Sequence, residues 1–188
     1  MNRLVRLGLV VAFLALVALL MHVTGLREHL TPGFVRARFE GHVLLGLLLF
    51  TVLFSVGNLV QVPGWIFLAA AVLALGRAWG GAATLMAAIV SNCVSFAIFR
   101  GIGGDALREL PGRLAARVFA QLDAHPVRSV TLLRLVMGTA PPLNVALALS
   151  GVRFRHYLAG SLLGLPVPVA AYTLFFDTAA RLLHWNVS

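Results

Sequence analysis

The sequence predicts an all-α integral membrane protein. Its core is an inverted repeat of a re-entrant helical hairpin plus a transmembrane helix, joined to an N-terminal span and interfacial amphipathic helices. Three observations predict it. The chain is 60% hydrophobic and 11% charged, whereas a soluble domain carries about 25% charged residues. Two apolar stretches are broken near their middles by proline, at Val62-Pro63-Gly64 and at Ala140-Pro141-Pro142. Each is followed by a turn containing Gly and Arg, Gly76-Arg77 or Gly151-Val152-Arg153, and then by an apolar span. Paired, interrupted apolar segments in two halves of a membrane chain point to a transport site.

Taken in order, residues 1–42 hold an apolar stretch, 7–23, behind Arg3 and Arg6. No small-x-small cleavage site follows it, so it reads as a retained span. Thr31-Pro32 starts a short helix with Phe34, Val35 and Phe39 on one face, suited to the membrane interface. The transport domain covers 43–178. Its first broken segment, 43–76, has an apolar part of 33 residues, 43–75. That is too long for one ordinary span and too short for two with a loop, a span needing about 20 residues. Two arms meeting at Pro63 and Gly64 solve the length problem, because proline breaks the helical ladder and glycine allows a tight backbone. One long, tilted, kinked helix is the alternative.

A continuous span follows over 81–100, containing Asn92 and Ser95 and ending at Arg100. The cluster Gly101-Ile102-Gly103-Gly104 reads as a flexible exit turn and not as a dinucleotide fingerprint, since no strand precedes it. Residues 105–128 form the most polar stretch, an amphipathic segment with Leu114, Val118 and Leu122 at helical spacing beside Arg113, Arg117 and Gln121. The second hairpin is 129–151 and the second span 157–176, with Pro166 and Pro168 inside it. Tyr157, Tyr172 and Trp185 suit an aromatic belt. A tail, 179–188, ends the chain.

All 15 basic residues are arginine. With a cytoplasmic N-terminus and each hairpin returning to its own side, nine lie inside, five outside and Arg134 within the membrane. That follows the positive-inside rule and makes the two hairpins enter from opposite sides. Basic residues flank apolar spans instead of forming a stripe, which argues against nucleic acid and for anionic headgroups. The single Cys93 allows no internal disulfide and reads as a small packing residue. No catalytic motif, His/Cys/acid metal cluster or cofactor fingerprint is present, so the expectation is a non-enzyme without cofactor or metal.

The candidate substrate-binding residues are Arg134, Asn144, Asn58 and Gln61. Arg134 lies seven residues before Pro141, about 10 Å along a helix. It either snorkels or bonds freed carbonyls, or it binds phosphate in a polar groove; the sequence leaves both open. Asn58, Gln61 and Asn144 can satisfy backbone groups freed at the breaks or line a hydrophilic path. Pro63, Gly64, Pro141 and Pro142 are the structural breaks, and Arg100 and Gly151 are secondary candidates. The arms restarting at Gly64 and Leu143 are expected to present N–H groups and a positive dipole end to an anion. Because the second break has Arg134 and Asn144, the anion site is expected to lean towards it.

Val62-Pro63-Gly64 with Gly76 and Gly80-Gly81, Phe96-Ala97-Ile98-Phe99-Arg100, and Leu133-Arg134-Leu135 with Pro141-Pro142, Asn144 and Ser150-Gly151 carry a resemblance. Over about 43–176 the chain resembles the DedA family of the VTT-domain, or SNARE-associated Golgi protein, superfamily. The resemblance implies facing re-entrant hairpins and movement of a phosphate-bearing lipid, undecaprenyl phosphate or a phospholipid, with Arg134 functional. It implies a bacterial inner membrane location and anionic lipids as partners, and leaves a homo-oligomer open. Family members with proton coupling carry acids near the first hairpin, at positions matching Gly57 and Trp65 here. A secondary transporter of a small anion and a non-transporting assembly protein are the alternative functions.

Overall fold

The computed structural model describes residues 12, 43–109 and 113–182. The expected interfacial helix before residue 43, the N-terminal span apart from Ala12, and the last six residues lie outside the described residues. The described chain is helical throughout. Helix α1 is Val43–Leu59, α2 is Gly64–Gly103, and a 3-10 turn occupies Ala106–Glu109. Then come α3 (Arg113–Ala124), α4 (Pro126–Met137), α5 (Pro141–Leu149), α6 (Phe154–Gly164) and α7 (Pro166–Leu182). Among the described residues two stretches are long and apolar enough to cross a membrane, Gly64–Gly103 and Phe154–Leu182.

Both breaks fall where proline places them, and they share a backbone signature. Three residues before each new helix the chain takes a positive φ, +66° at Gln61 and +57° at Gly138. The residue preceding each new helix is extended, Pro63 at φ −61°, ψ 131° and Ala140 at φ −59°, ψ 120°. The glycine turns also match, Gly76 at φ +76° and Gly151 at φ +81°. At the first break α1 packs on the restarted arm, with the Phe54 and Phe67 rings 4.9 Å apart. At Gly76 the helix reverses, so closely that a Cβ on Gly80 would stand 2.5 Å from the Ala71 carbonyl oxygen.

Those glycines make separable demands. At Gly76 there is open space around a would-be Cβ, so only the positive φ resists substitution. Gly76→Ala is therefore expected to cost about 1–2 kcal/mol. Gly101 has no atom near its would-be Cβ and lies inside α2. Gly101→Ala is expected to be neutral or to stabilise by up to about 1 kcal/mol. Unfolding of the two variants in detergent checks both signs.

Some boundaries differ from expectation. Gly101, Ile102 and Gly103 do not form an exit turn; they continue α2, and Gly104, at φ +57°, caps it. The second inbound arm begins at Pro126, because proline is favoured in the first helical turn, where its missing N–H costs nothing. The amphipathic segment therefore shortens to α3, where Leu122 is buried and Val118 is exposed. Pro166 and Pro168 lie within the last span as expected, since the Leu165 N–H still reaches Ser161 and the Val169 N–H reaches Leu165. The helix runs to Leu182, past the expected start of the tail.

Without a strong hydrophobic drive between helices in lipid, close packing of small residues has to join them. The Gly160-x-x-x-Gly164 pair does this for α6 on α4: a Cβ at Gly160 would meet Val130, and one at Gly164 would meet Thr131 and Arg134. On α7, Thr173 sits against Gly81. Two main apolar cores result, beside a small cluster of Leu68, Val72 and Val169. One gathers Phe50, Phe54, Phe67, Ala71, Ala87 and Ala88; the other is built around Phe96, Phe99, Leu143, Leu147 and Tyr157. Along α2 the residues between these contributions are polar and buried: Ser91, Asn92 and Ser95. Outside, large apolar side chains are exposed, among them Trp79, Val136, Leu163 and Phe175. Soluble monomers rarely expose so many, and a lipid surround accounts for them.

Candidate site between the two breaks

Arg134 is fully buried, 0% exposed, near the C-terminus of α4. Its Nε donates to Ser161 Oγ at 3.2 Å and one terminal nitrogen donates to the Gly138 carbonyl at 3.2 Å. The other terminal nitrogen donates to Asn144 Oδ1 at 2.6 Å and to the Tyr157 hydroxyl at 2.7 Å. A guanidinium can only donate, so it fixes the Asn144 amide with its oxygen towards Arg134. Asn144 Nδ2 then donates to Asn58 Oδ1 at 2.9 Å, and Asn58 Nδ2 donates to Ser91 Oγ at 2.8 Å and Ser95 Oγ at 3.2 Å. Tyr157 closes the circuit by donating to the Asn92 carbonyl at 3.1 Å. One polar layer thus joins α1, α2, α4, α5 and α6 between the two apolar cores.

Among the described residues the charge in this layer has no carboxylate beside it. Asp105, Asp123 and Asp177 pair with Arg100, Arg108 and Arg181 instead. What stabilises the cation is the negative end of α4, four neutral acceptors and the Tyr157 ring, whose centroid lies 5.2 Å from the guanidinium carbon.

Measured from each restart, Gly57 and Arg134 hold the same place, six residues before Pro63 and Ala140 respectively. Phe67 and Asn144 also correspond, four residues after. The polar Arg134–Asn144 contact thus has an apolar counterpart, because the Phe67 ring fills the space where a Gly57 side chain would stand. Trp65, the other position of interest near the first break, stacks on Phe176 with ring centroids 6.3 Å apart. The two places matching family acids are therefore packed with aromatic rings.

A cavity of about 380 Å³ opens between the breaks, bounded by Gln61, Pro63 and Gly64 on one side and Ala140, Pro141 and Pro142 on the other. Thr84 and Tyr172 also line it, and Gly138, whose carbonyl Arg134 holds, forms part of its wall. Of the four predicted binding residues, Gln61 lines the cavity; Arg134, Asn144 and Asn58 sit together in the buried layer. Arg100 and Gly151 are brought together elsewhere. Arg100 pairs with Asp105 and donates to the Val152 carbonyl. Arg108 lies over Gly151 and donates from Nε to the Ser150 carbonyl at 2.8 Å. Both arginines clamp the second turn.

Sequence reasoning missed Ser91, Ser161 and Thr84, and placed Tyr157 in an interfacial belt. Tyr157 is instead 0% exposed and part of the buried layer. The signal for part of this was Ser91, Asn92 and Ser95 at one-turn spacing in an otherwise apolar span, a polar stripe that has to face a polar neighbour. Among the described residues no group of His, Cys and acids could hold a metal ion.

Helices that turn apolar surface outwards and enclose a buried cationic layer define a helical membrane protein. Its family follows from a match of the VTT domain model to residues 62–178. The chain belongs to the VTT-domain family, the DedA and SNARE-associated Golgi protein group that its motifs resemble. No curated protein and no solved structure matches it.

Proposed function

We propose that this protein moves a phosphate-bearing lipid, a polyprenyl phosphate or a phospholipid, between the leaflets of a bacterial inner membrane. The headgroup passes through the cavity between the breaks while the acyl tails stay in the bilayer. The observation that carries the reading is that cavity, bounded by both breaks, with a buried guanidinium immediately behind its Gly138 wall. The arms of the second hairpin support re-entry from one side. Arms α4 and α5, of 12 and 9 residues, reach about 18 Å and 14 Å, against a hydrocarbon core of about 30 Å. In this reading the chain is not an enzyme, the N-terminus is cytoplasmic, and Arg134 both holds the two halves in register and places positive charge beside the path.

Reconstitution into liposomes tests this. Labelled phospholipid or polyprenyl phosphate is expected to cross faster than in protein-free vesicles. Passage of a trapped small anion without any lipid movement would favour a small-anion carrier instead, and unaltered rates for both would leave an assembly role.

A further inference from the structure

Resting on that reading, we infer that the phosphate group in the cavity is held by the first break, through Gln61 Nε2, the Thr84 hydroxyl and the backbone N–H groups of Gly64 and Trp65, and not by Arg134. The second break offers the Thr139 hydroxyl but few N–H groups. Pro141 and Pro142 lack N–H groups, and the Leu143 N–H is taken by the Ala140 carbonyl at 3.1 Å. Arg134 is sealed from the cavity and already donates to four protein acceptors.

The first break is the reverse. The Ile66 N–H bonds the Pro63 carbonyl at 3.1 Å. The Gly64 and Trp65 N–H groups ahead of it are left without a backbone acceptor at the positive end of a 12-residue arm, 64–75. Thr84 lines the same cavity, is 1% exposed, and its Oγ1 has no hydrogen-bond partner. The Gln61 Nε2 is likewise buried and unpartnered, on a residue held at φ +66°. Buried polar atoms are nearly always bonded, so two orphans on one cavity wall mark a place for an occupant. These groups donate, and no carboxylate is among the described residues that line the cavity. The complementary ligand is therefore rich in acceptors and anionic, as a phosphate ester is. Neutral donors also hold such a group loosely enough to let it leave, which passage requires.

The test is binding by the purified, reconstituted protein, compared for a short-chain phosphatidylglycerol, inorganic phosphate and a diacylglycerol of the same chain length. Gln61→Leu and Thr84→Val are each expected to weaken phospholipid binding about tenfold. Thr84→Ser should bind as the parent does. Without ligand, Thr84→Val should melt no lower than the parent, because it removes an orphaned hydroxyl; a hydroxyl with a purely structural role would lower it. Phospholipid bound more tightly than inorganic phosphate identifies a headgroup, whereas equal binding identifies a free anion and keeps the donor set. Diacylglycerol bound as well as phospholipid overturns the phosphate assignment. If the parent moves lipid but both variants bind it unchanged, the first-break assignment fails alone. If the parent neither binds nor moves lipid, the transport reading falls with it.

Discussion

Arg134→Ala is expected to lose about 3 kcal/mol of stability and to slow lipid movement at least tenfold. The stability loss follows from the four acceptors that the change strands: Ser161 Oγ, the Gly138 carbonyl, Asn144 Oδ1 and the Tyr157 hydroxyl. Hydrogen bonds between membrane helices contribute about 0.6–1.7 kcal/mol each. Among the described residues no carboxylate is left behind unpaired, so the cost stays below that of breaking a buried ion pair. Arg134→Lys separates charge from geometry. An ammonium keeps the positive charge but cannot span four acceptors as a guanidinium fork does. It should recover part of the transport and little of the stability. Denaturant unfolding in detergent and liposome transport, measured on both variants, check the two halves of this expectation. Arg134→Ala with parental stability would mean that the polar layer does not join the two halves.

The second large effect is expected at Gly164. A Cβ there would lie 2.6 Å from Arg134 Cβ and 2.7 Å from the Thr131 carbonyl oxygen. One of those is backbone, so no side-chain rotation relieves the overlap. Gly164→Val must push α6 away from α4, which parts Arg134 from Ser161 and Tyr157 at once. Overpacking typically costs about 1–3 kcal/mol, and the hydrogen bonds broken with it place this variant at or above the upper end. The melting temperature should fall well below that of Gly101→Ala, whose site is open. Equal melting of the two variants would show that α4 and α6 can separate without penalty.

Features written in local backbone chemistry were legible in the sequence. Pro63 and Pro141 announce the breaks because proline cannot continue the hydrogen-bond ladder, and Gly76 and Gly151 announce the turns because the chain there takes a positive φ. Partners far apart in sequence were not legible. Tyr157 looked interfacial because its acceptor, the Asn92 carbonyl, is 65 residues away. Asn58 looked like a local patch for the first break, yet its amide reaches Asn144, 86 residues on.

The expected lean of the anion site towards the second break rested on Arg134 being an available charge. Burial removes it from the cavity, and Pro141-Pro142 removes the N–H groups expected beside it. Thr84 carried no sequence signal, since a threonine in an apolar span ordinarily bonds its own helix.

The central claim is that the path runs between the two breaks, and reversible closure of that gap tests it most directly. A Cβ on Gly64 would lie 2.9 Å from Thr139 Cβ, so the two breaks touch there and need to part by only about 1 Å to reach the separation of about 3.5–4.5 Å that a disulfide takes. Gly64→Cys with Thr139→Cys, in a Cys93→Ser background, should therefore cross-link on oxidation. Lipid movement in liposomes is expected to stop when the bond forms and to return on reduction. A fully formed cross-link that leaves lipid movement at the reduced rate would contradict the claim and place the path elsewhere.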